Sequence, residues 1–175
     1  MSKGAWLAVV AAGLLVIAGV ALIAFANDSD DEDPATPSGP AAVALDEAES
    51  ASKPFEGLTQ ATVQVGDATL DVVLADESDE RSEGLRERSD IGRYDGMLFV
   101  FQSPTQTAFT MSTVPVPLDI GFFDEQGKVV DRLKMLPCPE PESGCPTYSA
   151  SGPFSYALET LADDLPRGPL GAPAT

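Results

Sequence analysis

Apolar positions fall into three regimes along the chain. Residues 6–26 are apolar or Gly throughout, about 21 residues that would rise roughly 31 Å as a helix and so cross a hydrocarbon core. The pattern predicts a transmembrane signal anchor there, with a short N-terminal stretch (1–5) before it. Lys3 precedes the run and Asp28, Asp30, Asp31, Glu32 and Asp33 follow it, so the positive-inside bias places the N-terminus in the cytoplasm and the remainder outside. Ala24-Phe25-Ala26 also fits a small-x-small cleavage site, which leaves secretion after Ala26 as the alternative. No lipobox Cys lies near the end of the run, and a lipid anchor is not indicated.

Residues 27–57 are rich in Asp, Glu, Pro, Ser and Ala and poor in large apolar groups. Such a segment cannot bury enough surface to offset its ordering entropy, and a disordered acidic linker is expected. Asp28, Asp30 and Glu32 alternate like the start of a calcium loop, but Asp33 stands where an EF-hand needs Gly. A solvated spacer is the simpler reading.

From residue 58 the period becomes two. Val63 and Val65, then Leu70, Val72 and Leu74, flank Gly66-Asp67 and read as a β-hairpin. A helix is expected over 77–88, with Asp76 as N-cap, Glu77, Asp79 and Glu80 in its first turn, Arg86 and Arg88 in its last, and Gly84 weakening it. Met97-Leu98-Phe99-Val100-Phe101 is an apolar run between Gly96 and Pro104, as in a strand buried on both faces. Segments 118–123 and 128–136 flank the polar turn 124–127 and predict a second hairpin. Phe154–Leu161 supplies another strand or a short helix. Pro and Gly dominate from about 165, so 166–175 is expected to fray. The folded part is therefore a single mainly β domain over 58–165 with one short helix.

Ten Lys plus Arg stand against 28 Asp plus Glu, for a formal charge of -18. This charge repels phosphate backbones and makes nucleic acid a poor partner. Solubility accounts for it most simply, and adaptation to high salt is the alternative. The chain has no His, which excludes Ser-His-Asp triads, Cys-His pairs and His-based zinc sites. Neither a cofactor nor a metal site is indicated. Cys138 and Cys145 enclose Pro-Glu-Pro-Glu-Ser-Gly, and outside the cytoplasm nothing keeps such a pair reduced. A structural disulfide is expected. A redox-active pair would prefer a two-residue spacing at a helix start.

The order of motifs resembles domain of unknown function family 192. The resemblance rests on 76–88 (DESDERSEGLRER), 96–101 (GMLFVF), 117–120 (PLDI), the turn 124–127, Pro137-Cys138 with Cys145 and Tyr148, and 157–159 (ALE). It covers roughly residues 60–165 and implies a small β-sandwich or barrel-like fold, often exported, with no established reaction. The chain departs from the family pattern after Phe109: Thr110 replaces an aromatic residue, and Ser112, Thr113 and Val114 replace a Lys-Asn-Thr-like triplet. If that triplet forms a ligand site in relatives, this chain has lost its cation and amide.

Three polar residues stand beside apolar strands. Arg81 and Asp119 are expected to pair, either as a structural clamp or as a fork that holds an anionic ligand. Glu159 lies in a comparable setting. A binding or interaction module without catalysis accommodates all of this. The alternatives are a hydrolase working through two carboxylates, as glycosidases do, and a structural accessory of an envelope complex. No spacing in the sequence marks two carboxylates as facing each other.

Overall fold

The computed structural model describes residues 48–138 and 142–172. The expected membrane helix (6–26), the acidic stretch that resembles a calcium loop and the first part of the linker lie outside these residues. Among the described residues, ten strands and one α-helix follow one another as β1 (Glu49–Ser50), β2 (Thr59–Val65), β3 (Ala68–Ala75), α1 (Ser78–Glu83), β4 (Gly96–Thr105), β5 (Phe109–Thr110), β6 (Leu118–Phe123), β7 (Val129–Met135), β8 (Thr147–Tyr148), β9 (Phe154–Leu161) and β10 (Leu170–Gly171). Eight of the strands form one sheet in the order β1-β2-β3-β4-β9-β6-β7, with β10 also paired to β2, while β5 and β8 form a separate two-stranded ladder. The domain is mainly β, and the large sheet is open, because its outer strands β1 and β7 do not pair with each other.

Local chemistry explains the hairpins. Gly66 adopts φ 59 in the β2–β3 turn, a left-handed conformation that costs Gly little. A Cβ there would lie 2.1 Å from the Arg167 carbonyl oxygen, so this turn also needs Gly for close approach of the C-terminal segment. In the β6–β7 turn, Asp124 Oδ1 accepts the backbone N–H groups of Gln126 (3.0 Å) and Lys128 (2.8 Å). β4 and β9 occupy the centre of the sheet, and β9 is a strand rather than the helix that its sequence also allowed.

α1 is shorter than the sequence predicts. It starts after Glu77, not Asp76, and the Glu80 carboxylate accepts the backbone N–H groups of both residues at 3.1 Å. It ends at Gly84, whose φ of 53 takes the backbone out of the helix. Arg86 and Arg88 therefore lie in the turn beyond the helix rather than in its last turn. Arg88 packs 4.6 Å over the Phe55 ring and reaches the Pro54 carbonyl oxygen at 2.9 Å.

The ordered chain extends past both expected boundaries. β1 pairs Glu49 with Gln60 and Ser50 with Thr59, and Ala51 and Phe55 are buried. Residues 48–57 thus belong to the domain: two well-placed apolar side chains dock a segment whose average composition reads as linker. At the other end Leu170 is buried, and its N–H donates to the Gly127 carbonyl at 2.8 Å while Gly66 N–H donates to Pro169 at 2.9 Å. Residues 166–171 are held by these backbone bonds where fraying was expected.

Side-chain alternation divides the buried residues between the two faces of the sheet. Val73, Ala75, Met97, Phe99, Ile120 and Phe122 belong to the first face, and Leu74, Leu98, Val100, Phe123, Tyr156 and Leu158 to the second. On the first face Phe154 packs against Phe122 (4.7 Å between centroids) and Phe101 (5.5 Å), and Phe109 of the small ladder packs against Phe99 (5.1 Å).

Cys138 and Cys145 form the expected disulfide. The bond closes the connection between β7 and β8, and β8 pairs with β5 through Phe109↔Tyr148 and Thr110↔Thr147. Closing so short a loop restricts the unfolded chain by about 2–3 kcal/mol. Replacement of both cysteines by Ser is expected to lower the melting temperature by several degrees. A reducing agent should produce a similar fall in the parent chain and none in the variant, and equal melting curves for both proteins would show that the clasp is idle.

Candidate functional site

Register decides where the candidate residues go. Glu159 of β9 stands opposite Met97 of β4 and Ile120 of β6, whereas Asp119 stands opposite Thr160. One residue of offset reverses the direction of a strand side chain, so Glu159 points to the first face and Asp119 to the second.

Asp119 serves a local purpose. Its Oδ2 accepts the backbone N–H of Asp163 at 2.8 Å and its Oδ1 lies 4.0 Å from Lys134 Nζ, which in turn holds the Asp163 carboxylate at 2.6 Å. The hydrogen bond that Lys134 donates to the Asp163 carboxylate raises the Lys134 pKa above its ordinary value. This cluster ties down the turn after β9. Arg81, on α1, donates from Nη1 to the carbonyl oxygens of Asp76 and Val100, the latter at 3.0 Å, and its guanidinium lies 5.2 Å from the Phe101 ring centroid. The expected Arg81–Asp119 pair is therefore not formed: opposite faces of the sheet separate the two groups.

Arg81 and Glu159 instead line one cavity of about 580 Å³ between α1, the sheet and the segment 107–114. Volumes of roughly 300–1,000 Å³ are usual for small-molecule sites. Phe99, Phe101 and Phe109 supply its apolar surface, Arg81 and Arg86 its cationic side, and Glu159 is its most enclosed polar group at 5 % exposure. No described residue makes a hydrogen bond or ion pair to the Glu159 carboxyl. Burial alone pushes its pKa up to about 8, far above the ordinary 4.5, because the charged form has lost water without gaining a partner.

The second carboxylate at the cavity is Glu83, which is exposed and engaged with Arg88 at 3.1 Å. Arg86 is positioned by the carbonyl oxygens of Ser82 (3.2 Å, from Nε) and Ser112 (3.3 Å, from Nη1). Among the described residues no three His, Cys, Asp or Glu side chains converge as a metal site would require. The aromatic walls escaped sequence reasoning, since Phe99 and Phe109 read simply as core. Thr110 and Val114 also line this cavity.

Residues 61–167 match the family DUF192, described as an uncharacterized ACR. The chain belongs to this family. A crystal structure of a protein of unknown function from Novosphingobium aromaticivorans DSM 12444 is 28% identical, with a TM-score of 0.55 over 69% of this chain and 86% of that one. A second, from Sinorhizobium meliloti 1021 and provisionally described as a transcription regulator, is 24% identical with a TM-score of 0.52, over 62% of this chain and 88% of that one. The second likeness concerns the fold alone. No curated protein matches the chain significantly.

Proposed function

We propose that this DUF192 domain is a binding module that holds a small molecule in the cavity between α1 and strands β4 and β9. One observation carries the reading: a carboxyl group, 5 % exposed and without a partner among the described residues, faces an open cavity from the middle of the sheet. The carboxyl opens on the cavity and no described residue satisfies it, so a ligand that offers a hydrogen bond there gains one that the protein itself leaves unmade. The single enclosed carboxyl serves recognition rather than catalysis, because its potential partner Glu83 is engaged elsewhere. The apolar run 6–26 supports tethering of this module to a membrane, and the Cys138–Cys145 disulfide supports exposure of the module to a non-cytoplasmic, oxidising compartment. The net charge of -18 speaks against nucleic acid as the ligand.

Ala108 stands exposed at the cavity rim, where a Trp side chain would obstruct entry without entering the core. In a fragment screen monitored by NMR of the solubilised full chain, ligands are expected to shift the signals of Leu85, Phe99 and Val114, and Ala108→Trp is expected to abolish those shifts. Hits that bind the variant as well as the parent, or that leave these signals unmoved, would place binding elsewhere.

A further inference from the structure

We infer that the cavity takes a small organic acid, with an apolar ring-sized body against Phe99, Phe101 and Phe109, its carboxylate on Arg81, and a hydrogen-bonding group on Glu159. The inference rests on the cavity being a ligand site and specifies the chemistry of the occupant.

The charge distribution selects the head group. Arg81 is held by two backbone carbonyls rather than by a carboxylate, and among the described residues no acidic side chain lies in salt-bridge range of it. Its Nη1 is committed to those carbonyls, while Nε and Nη2 make no bond within the described residues and remain as donors in the fork geometry that suits a carboxylate. The Arg81 guanidinium repels an ammonium ligand, and the carboxylate of Glu83, which already faces Arg88 at 3.1 Å, does little to offset it at the cavity.

Glu159 selects the rest. The charged groups at the cavity besides Glu159 are Arg81, Glu83 and Arg86 on the helical side, whereas β4 contributes Phe99 and Phe101 and the segment 107–114 contributes Thr107, Thr110 and apolar side chains; on β6 the residue opposite Glu159 is Ile120. Enclosed among these, Glu159 keeps its proton at neutral pH and both donates and accepts a hydrogen bond. An anionic ligand therefore meets no charge repulsion at the enclosed end until Glu159 ionises. Binding of an acid should weaken as pH rises through about 8, and binding of its neutral amide should not.

Titration calorimetry on the solubilised full chain with phenylacetate, phenylacetamide and phenethylamine tests this directly. At pH 6.5 phenylacetate is expected to bind about tenfold or more tightly than either of the others, and Arg81→Gln to remove that preference for the acid over the amide. Should Arg81→Gln fail to fold, the parent alone suffices: phenylacetate affinity must fall between pH 6.5 and pH 9, with phenylacetamide affinity constant. Equal binding of acid and amide, or preference for the amine, overturns the organic-acid assignment and leaves the cavity as a site for other small molecules. Absence of binding by all three probes, together with a fragment screen that never moves the cavity signals, overturns the binding module as well.

Discussion

Glu159→Gln is expected to stabilise the protein, and by more as the solution becomes more alkaline. In the folded chain Glu159 holds its proton up to about pH 8, whereas in the unfolded chain it ionises near 4.5. Between these values unfolding releases a proton, so stability falls as pH rises, by up to about 1.4 kcal/mol per unit. The contribution is complete below the lower value and gone above the upper one. At pH 7 the accumulated loss amounts to roughly 3 kcal/mol. Gln keeps the shape without a charge to bury, so the variant should melt about 10 °C above the parent at pH 7 and lose the slope between pH 5 and pH 8. Parallel stability-versus-pH curves for parent and variant would refute a buried, unpartnered acid. Greater stability combined with weaker ligand binding is the signature expected of a group kept for function at the expense of the fold.

A second large effect concerns the aromatic cluster beside the cavity. Phe154 is fully buried and meets Phe101, Phe109 and Phe122 at centroid separations of 5.5, 6.2 and 4.7 Å. Phe154→Ala is expected to cost about 3–5 kcal/mol, since the lost transfer energy is joined by a void that rigid neighbours cannot fill. Denaturant unfolding should show this as a lower midpoint with little change in slope, and Phe154→Leu should recover most of the loss. A cost below about 1 kcal/mol would mean that the rings do not form a packed unit.

Sequence periodicity revealed those elements whose order is local. The β2–β3 and β6–β7 hairpins follow from alternating apolar residues around Gly66-Asp67 and the turn 124–127, and β4 follows from its apolar run. The two-residue strands β1, β5, β8 and β10 carry too few positions to show a period. They exist because distant strands offer them hydrogen bonds, and this also explains why residues 48–57 and 166–171 read as linker and frayed end. Gly84 signalled a weakened helix, but its positive φ stops the helix outright, and that displaces Arg86 and Arg88 from the positions their charges had favoured.

At the site, Arg81 and Glu159 were recognisable as polar residues amid apolar strands. Their association was not, because it depends on β9 lying between β4 and β6, a long-range pairing that no local pattern encodes. The same pairing sends Asp119 to the opposite face, although Asp119 and Glu159 looked alike in sequence. Phe109 gave no signal either, since an aromatic residue in a two-residue strand is indistinguishable from ordinary core filling.

α1 contributes a cavity wall yet buries none of its six residues. Its attachment depends on the Glu80 cap, the Arg81 contacts and the stop at Gly84, whereas Glu159 is fixed in a strand paired on both sides. Helix residues other than Glu80 and Arg81 can consequently be exchanged at small cost to folding while the enclosed acid stays where it is. Among proteins sharing this architecture, selectivity for different molecules can diversify on one side of the chamber without disturbing the other.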